Sequence, residues 1–169
     1  MEKKQGERII SNQKIDENDI IIRNYRTSDY EATLEILKQL HDKYDIGLKE
    51  NQWKQSSGLR QFKPNLKRIT LIAELKSTGE VVAMGMIEAV KNTLGQYIGY
   101  LDNWATKKEY IGKQVGRILA DRAIQILKSW GCESIRINVG YGIPEKLLKV
   151  FEKVGFKPIM IVLEKKFEK

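Results

Sequence analysis

Apolar residues in this chain recur at two periods that alternate along its length, and the alternation outlines a set of strands and helices. Ile20 to Tyr25 (IIIRNY) is a β-branched and aromatic run of strand type. It is closed by Thr27-Ser28-Asp29, three residues able to cap a helix. From Tyr30 to Lys43 the positions Leu34, Leu37 and Leu40, with Ile36 beside them, fall at helical spacing. A weaker helical stretch follows over Lys49–Leu59, ended by Ser56-Ser57-Gly58 and Pro64. Lys67–Leu75 and Glu80–Val90 then read as strands joined by Lys76-Ser77-Thr78-Gly79, a hairpin-length turn with a glycine in it. A third strand covers about Gln96 to Thr106, which predicts an antiparallel meander. The longest helical signal places Val115, Ile118, Leu119, Ala123, Ile126, Leu127 and Trp130 by threes and fours, with Gly131 just past the end. Ser134–Val139 is a strand, Pro144–Val154 a helix, and Ile159–Phe167 a last strand. The unit from Gln96 to Val139 is strand, helix, strand, so its two strands are expected to lie parallel through a right-handed crossover. The fold class that follows is α/β, a mixed, largely antiparallel central sheet with helices on both faces.

Composition narrows the setting. The 169 residues suit one domain, read here as residues 19–169 behind a polar extension over residues 1–18 that lacks sustained periodicity. No window reaches the run of about 18 apolar residues that a membrane span needs, and the first residues are charged where a secretory signal would be apolar. A cytoplasmic protein without membrane contact is the expectation. Cys132, the single cysteine, excludes an internal disulfide and supplies no metal cluster, so no metal is expected. The net charge of +8 favours anionic partners without naming one, since nucleic acid, anionic lipid and a phosphorylated cofactor all fit. Zinc-ligand spacing and aromatic-rich basic strands are both missing, which disfavours nucleic acid.

Where the charge gathers is more informative. Lys107-Lys108-Glu109-Tyr110-Ile111-Gly112-Lys113-Gln114-Val115-Gly116-Arg117 is a basic, glycine-containing loop running into a helix start. First-turn N–H groups of a helix lack internal partners and point outward, where the helix dipole also favours an anion. Gly112 and Gly116 let the backbone approach closely. Lys107, Lys108, Lys113, Arg117 and Arg122 stand against Glu109 and Asp121, so positive charge is concentrated where a pyrophosphate would sit. On these residues alone, a plain strand-to-helix turn with solvated lysines is equally open.

At this loop the sequence resembles the GNAT superfamily of acyl-coenzyme A dependent N-acyltransferases. That family's signature is Arg or Gln, two residues, Gly, one residue, then Gly or Ala, between its fourth strand and third helix. Ile111-Gly112-Lys113-Gln114-Val115-Gly116 is the matching stretch: Gly116 matches, and Gly112 and Arg117 match frequent companions. Ile111 and Gln114 depart from the pattern, and Gln114 adds bulk where the pyrophosphate would approach. Leu147 to Phe156 is similar to the family's C-terminal helix, closed by a Gly-Phe pair. The resemblance covers about Ile20 to Phe167.

The resemblance implies acetyl-coenzyme A as cosubstrate, no metal, and transfer to the amine of a small molecule or peptide, with a homodimer left open. It implies a cofactor site at Ala105, Thr106, Ile111, Gly112, Lys113, Gln114, Val115, Gly116 and Arg117. The cofactor would lie between two splayed parallel strands, here Gln96–Thr106 and Ser134–Val139. Attack needs a neutral amine, hence a proton acceptor, and a backbone N–H for the developing oxyanion. Asp102 is the leading candidate for base or ammonium anchor as the only carboxylate on its strand, with Glu74 and Glu88 behind it. Simple alternation puts Tyr100, Asp102 and Trp104 on one face and Leu101, Asn103 and Ala105 on the other unless a bulge intervenes. His41 is expected at the surface, and Trp53 and Trp104 are candidates for an acceptor pocket. In many members a tyrosine on the C-terminal helix protonates the leaving thiolate; Phe151 stands at the matching position and Pro144 where an asparagine is common, so Tyr141 is the nearest substitute phenol. The second reading is a degenerate domain that binds coenzyme A as a regulatory module with little turnover.

Overall fold

A computed structural model of the protein describes residues 14–44, 47–139 and 145–161, with Leu163, Lys165 and Phe167. The chain divides into two compact units, one ending at Ile137 and the other beginning at Asn138.

The first unit is built on a five-stranded sheet in the order β1-β2-β3-β4-β5. Strands β1 (Ile20–Asn24), β2 (Arg68–Leu75), β3 (Val81–Lys91) and β4 (Tyr97–Thr106) are antiparallel in succession, and β5 (Cys132–Ile137) is parallel to β4. The expected meander and crossover are both present. Gly79 supplies the hairpin's left-handed residue (φ +70°), where its N–H donates to the Leu75 carbonyl at 2.8 Å.

Helices α1 (Tyr30–Tyr44) and α4 (Val115–Ser129) lie on opposite faces of the sheet. Ile36 and Leu37 of α1 pack with Met84 and Ala105, which are cross-strand partners and so share a face. The other face carries Gly99, against whose bare Cα the side chain of Leu127 in α4 packs. Val115, Leu119, Ala123 and Leu127 are fully buried, one residue per turn along α4. The weak helical stretch forms two pieces, α2 (Glu50–Gln55) and α3 (Ser57–Arg60), with Ser56 between them. Among the described residues no helix is long and apolar enough to cross a membrane.

At the start of α1, Asp29 turns back rather than forward. Its carboxylate accepts from the Arg26 N–H at 2.7 Å and takes both Nη atoms of Arg23, at 2.7 and 2.8 Å, while Arg23 also meets Glu74. Burial raises the Asp29 pKa, but Arg23 and the Arg26 N–H outweigh it and hold the group below its usual 3.8. A depressed folded-state pKa means that this stabilisation is complete above the unfolded value and is lost as pH falls through the folded one. Denaturation midpoints should therefore drop below about pH 4, and Asp29→Asn should give a lower but flatter acid limb. An unchanged acid slope in that variant would remove Asp29 from the account.

In the second unit, α5 (Glu145–Lys153) ends as the Gly-Phe pair predicts. Gly155 is left-handed (φ +93°), the Phe156 N–H donates to the Phe151 carbonyl at 3.0 Å, and the two rings meet edge to face at 5.9 Å. The strand expected over Ile159–Phe167 is not formed by the residues described there. Apolar alternation makes a strand only where an edge pairs with it, and none does so among the described residues.

Candidate functional site

The end of β4 departs from simple alternation, and the departure builds the site. Met84 pairs with Ala105 and Met86 with Asp102, so Gly85 alone faces two residues, Asn103 and Trp104. This is a β-bulge, with Asn103 in the left-handed region at φ +50°. Asparagine tolerates that conformation better than most residues. The extra residue reverses the faces beyond it: Asp102 joins Tyr100 and Ala105 on the α1 side, and Trp104 moves to the α4 side. There the indole lies over Gly85, in the space a Cβ would need. Trp104 is thus a packing residue of that face, whereas the alternation expected from sequence had set it beside Asp102.

Pairing between β4 and β5 ends at Leu101↔Ile137, although β4 runs on to Thr106. From Asp102 onward the two strands are no longer bonded to each other among the described residues. Immediately after this opening comes the basic loop. Gly112 is left-handed (φ +82°), and so is Gln114 (φ +72°), the residue that precedes α4. Gln114 thus occupies a conformation natural to glycine, at the position where the family signature has one. Among the described residues the N–H groups of Gly112, Gln114, Val115 and Gly116 take no main-chain acceptor, whereas Lys113 donates to Tyr110 and Arg117 to Gln114. Four amide donors around a helix start, beside an opened strand end, form a cradle for an anion.

The side chains of the loop divide the labour. Lys107 is held by Glu80 at 2.9 Å, with Glu35 at 3.5 Å, and the Tyr110 hydroxyl donates to the same Glu80 at 2.7 Å. The hydrogen bond from Lys107 depresses the Glu80 pKa against burial, with Tyr110 assisting, and the reciprocal bond raises that of Lys107. Burial and then Glu80 push the Tyr110 phenol upward. Lys107 is therefore a brace that fixes the loop to the start of β3. Lys108, Arg117 and Arg122 are exposed, and Arg117 pairs loosely with Asp121 at 3.8 Å. Lys113 lies over the Tyr110 ring at 5.5 Å. The N-terminal residues reach the same place: the Ile15 N–H donates to the Lys113 carbonyl at 3.1 Å.

The remaining cofactor-site residues offer different atoms. Val115 and Ala105 are buried, so main-chain groups are what they have to give; Ile111 is 61% exposed. The Gly116 Cα faces Thr106, whose Oγ1 would be 3.5 Å from an added Cβ. Loop and strand end are thereby adjacent.

On the α1 side a cavity of about 430 Å³ opens at the bulge. Leu37, Leu48 and Trp53 make its apolar wall, and Lys49, Gln52, Ser56 and Asn103 bring polar groups. Behind Trp53 lies Arg60, 3% exposed, its guanidinium 3.6 Å from the indole centroid and 5.2 Å from that of Tyr25. Arg60 Nη2 donates to the Trp53 carbonyl at 2.7 Å and Nη1 to Ser56 Oγ at 3.2 Å. The sequence pointed to Trp53 but not to Asn103, Arg60 or Glu80; an αL-tolerant asparagine inside a strand was the one available signal for the bulge.

Asp102 is half-buried opposite Met86, and His41 is half-buried near the end of α1 rather than fully at the surface. Glu74 and Glu88 are committed to ion pairs with Arg23 and Arg68, each at 2.6 Å, which weakens both as candidates. Cys132 is half-buried, and burial raises its thiol pKa, which disfavours a reactive thiolate. Tyr141 and Pro144 lie outside the described residues. Among the described residues no group of three or more His, Cys, Asp or Glu could hold a metal ion.

Residues 30–156 match the acetyltransferase (GNAT) family. Among solved structures, an acetyltransferase from Trypanosoma brucei is 20% identical and superposes with a TM-score of 0.68, over 88% of this chain and 100% of its own. Glucosamine-6-phosphate N-acetyltransferase from Arabidopsis thaliana is 19% identical with a TM-score of 0.68, over 88% and 99%. AAC(6')-Iy, solved with the bisubstrate analogue CoA-S-monomethyl-acetylneamine, is 13% identical with a TM-score of 0.69, over 89% and 99%. No curated protein matches the sequence.

Proposed function

We propose that this chain, which belongs to the GNAT acetyltransferase family, moves an acetyl group from acetyl-coenzyme A to a primary amine by direct attack within a ternary complex. The observation that carries this reading is the cradle of four amide donors from Gly112 to Gly116, set beside the end of β4 where its pairing with β5 has stopped. Amide groups at a helix start fit a pyrophosphate, and an unpaired strand edge fits an extended, amide-bearing arm. Acetyl-coenzyme A supplies the activated acyl thioester. The amides of Gly112, Gln114, Val115 and Gly116 hold the phosphates, with Lys113 and Arg117 adding charge and Ala105, Thr106 and Ile111 bordering the arm. Asp102, on the face that also carries the cavity, takes the proton of the acceptor ammonium directly or through water. Structural neighbours whose names specify glucosamine-6-phosphate or an aminoglycoside support a small-molecule amine as acceptor. The test is calorimetric titration with coenzyme A and with a short DNA duplex, paired with thiol release over an amine panel. Binding of the duplex in place of coenzyme A would sink the reading.

Gln114→Gly is expected to preserve or improve coenzyme A affinity. A left-handed non-glycine residue costs about 1–2 kcal/mol, while a new glycine loosens the unfolded chain by about 0.4–1 kcal/mol, so stability should shift by about 1 kcal/mol or less. A tenfold loss in titration would show that the glutamine side chain itself grips the ligand.

Gln114 and Phe151 together favour a second reading, a coenzyme A-binding regulatory domain of low turnover. Phe151→Tyr separates the two. Acid catalysis is worth roughly 10²–10⁴-fold, so the added phenol should raise transfer, or leave it unchanged if Tyr141 already serves. Loss of transfer with coenzyme A still bound would mean that this position only packs against Phe156.

A further inference from the structure

Arg60 is the unusual group of the first unit. It is a cation 3% exposed, yet its partners are neutral: one carbonyl, one hydroxyl and two aromatic faces. Its Nε is buried with no hydrogen-bond partner, and among the described residues no carboxylate pairs with it. A buried guanidinium ordinarily faces a carboxylate or phosphate, because leaving its charge unmatched in a weakly polar interior is costly. The two residues it braces, Trp53 and Ser56, are walls of the cavity at the bulge. Lys49, on the same cavity, adds a second positive charge, and among the described residues the lining carries no carboxylate. Its volume of about 430 Å³ suits a small molecule. Two cations at this wall, with no carboxylate among its described lining residues, favour an anionic group over a polycation.

We propose that this cavity takes a small amine that also carries an anionic group, a carboxylate or a phosphate, with the anion against Lys49 and the Trp53–Ser56 wall that Arg60 polarises. The inference rests on the acyl-transfer reading for the fate of the amine, which would lie toward the β4 bulge at Asn103. Lys49 and Arg60 are specificity residues, and the anion fixes which end of the acceptor enters first.

The test is calorimetric titration of the full chain, with and without saturating coenzyme A, using two matched pairs and a polycation. The pairs are an amino acid against its carboxamide and a phosphorylated amino sugar against the unphosphorylated sugar; the polycation is a linear triamine. In one pair the anionic member should bind at least tenfold more tightly, and the pair that responds identifies carboxylate or phosphate. Lys49→Glu, a change at an exposed position, should remove that preference and leave coenzyme A affinity unchanged. Equal binding within both pairs, or tighter binding of the triamine, overturns the proposal and leaves Arg60 a structural brace. Failure of coenzyme A to bind would instead overturn the acyl-transfer reading, and the titrations without it still decide the anion preference.

Discussion

Replacing Gly116 with valine should lower affinity for coenzyme A at least tenfold while leaving the chain folded. The fold should accept the change because an added Cβ at this position meets only Thr106 Oγ1, at 3.5 Å, an ordinary contact. Valine is also no worse than glycine inside a helix. Ligand binding should not accept it, because the isopropyl group would stand over the amides of Gln114, Val115 and Gly116 at the helix start. A hydrogen bond to a charged group contributes about 1.5–3 kcal/mol, so blocking one amide gives a loss of roughly 10- to 100-fold. Gly116→Ala should show a smaller loss in the same titration. A folded valine variant that binds coenzyme A as tightly as the parent would move the phosphate site elsewhere.

Gly85→Ala should be the most damaging single methyl group in the sheet. The Trp104 indole occupies the place that the new Cβ needs, and a rigid ring lying flat against the backbone has to shift as a whole to make room. Overpacking of this kind costs about 1–3 kcal/mol, which for a chain of this size lowers the thermal midpoint by roughly 3–10 °C. Displacing Trp104 also moves Asn103, its neighbour in the bulge, so acceptor binding should weaken along with stability. Calorimetric melting decides the first point. If Gly85→Ala melts with the parent, the indole does not rest on that backbone. A Gly85→Ala/Trp104→Leu pair should recover part of the midpoint, because the smaller side chain vacates the space.

The meander, the crossover and the glycine-containing loop at the start of α4 were legible in the sequence because each is a local pattern: alternation, helical spacing, and glycines before a helix. What escaped was set by contacts between distant residues. The faces occupied by Trp104 and Ala105 depended on whether Gly85 opposed one residue or two, and alternation within β4 alone cannot report that. Arg60 lies on a short and weakly periodic helix, so its burial between Tyr25 and Trp53 follows from tertiary packing. Lys107 illustrates the converse error of charge counting, for it belongs with the loop cations in sequence but spends its charge on Glu80. Over Ile159–Phe167 the composition suits a strand, but the described residues of that segment form none, since composition does not supply a partner.

The bulge at Asn103 has one more effect, on association. β4 continues past its last bond to β5 among the described residues, and unpaired rungs of this kind are the usual starting point of edge-to-edge aggregation with a foreign strand. A left-handed residue three positions from the strand's end spoils the regular spacing of donors and acceptors that such an intruder requires. A short, flexible ligand needs only a few of those groups and can still be held. Asn103 thus makes this end of β4 a poor template for regular strand addition.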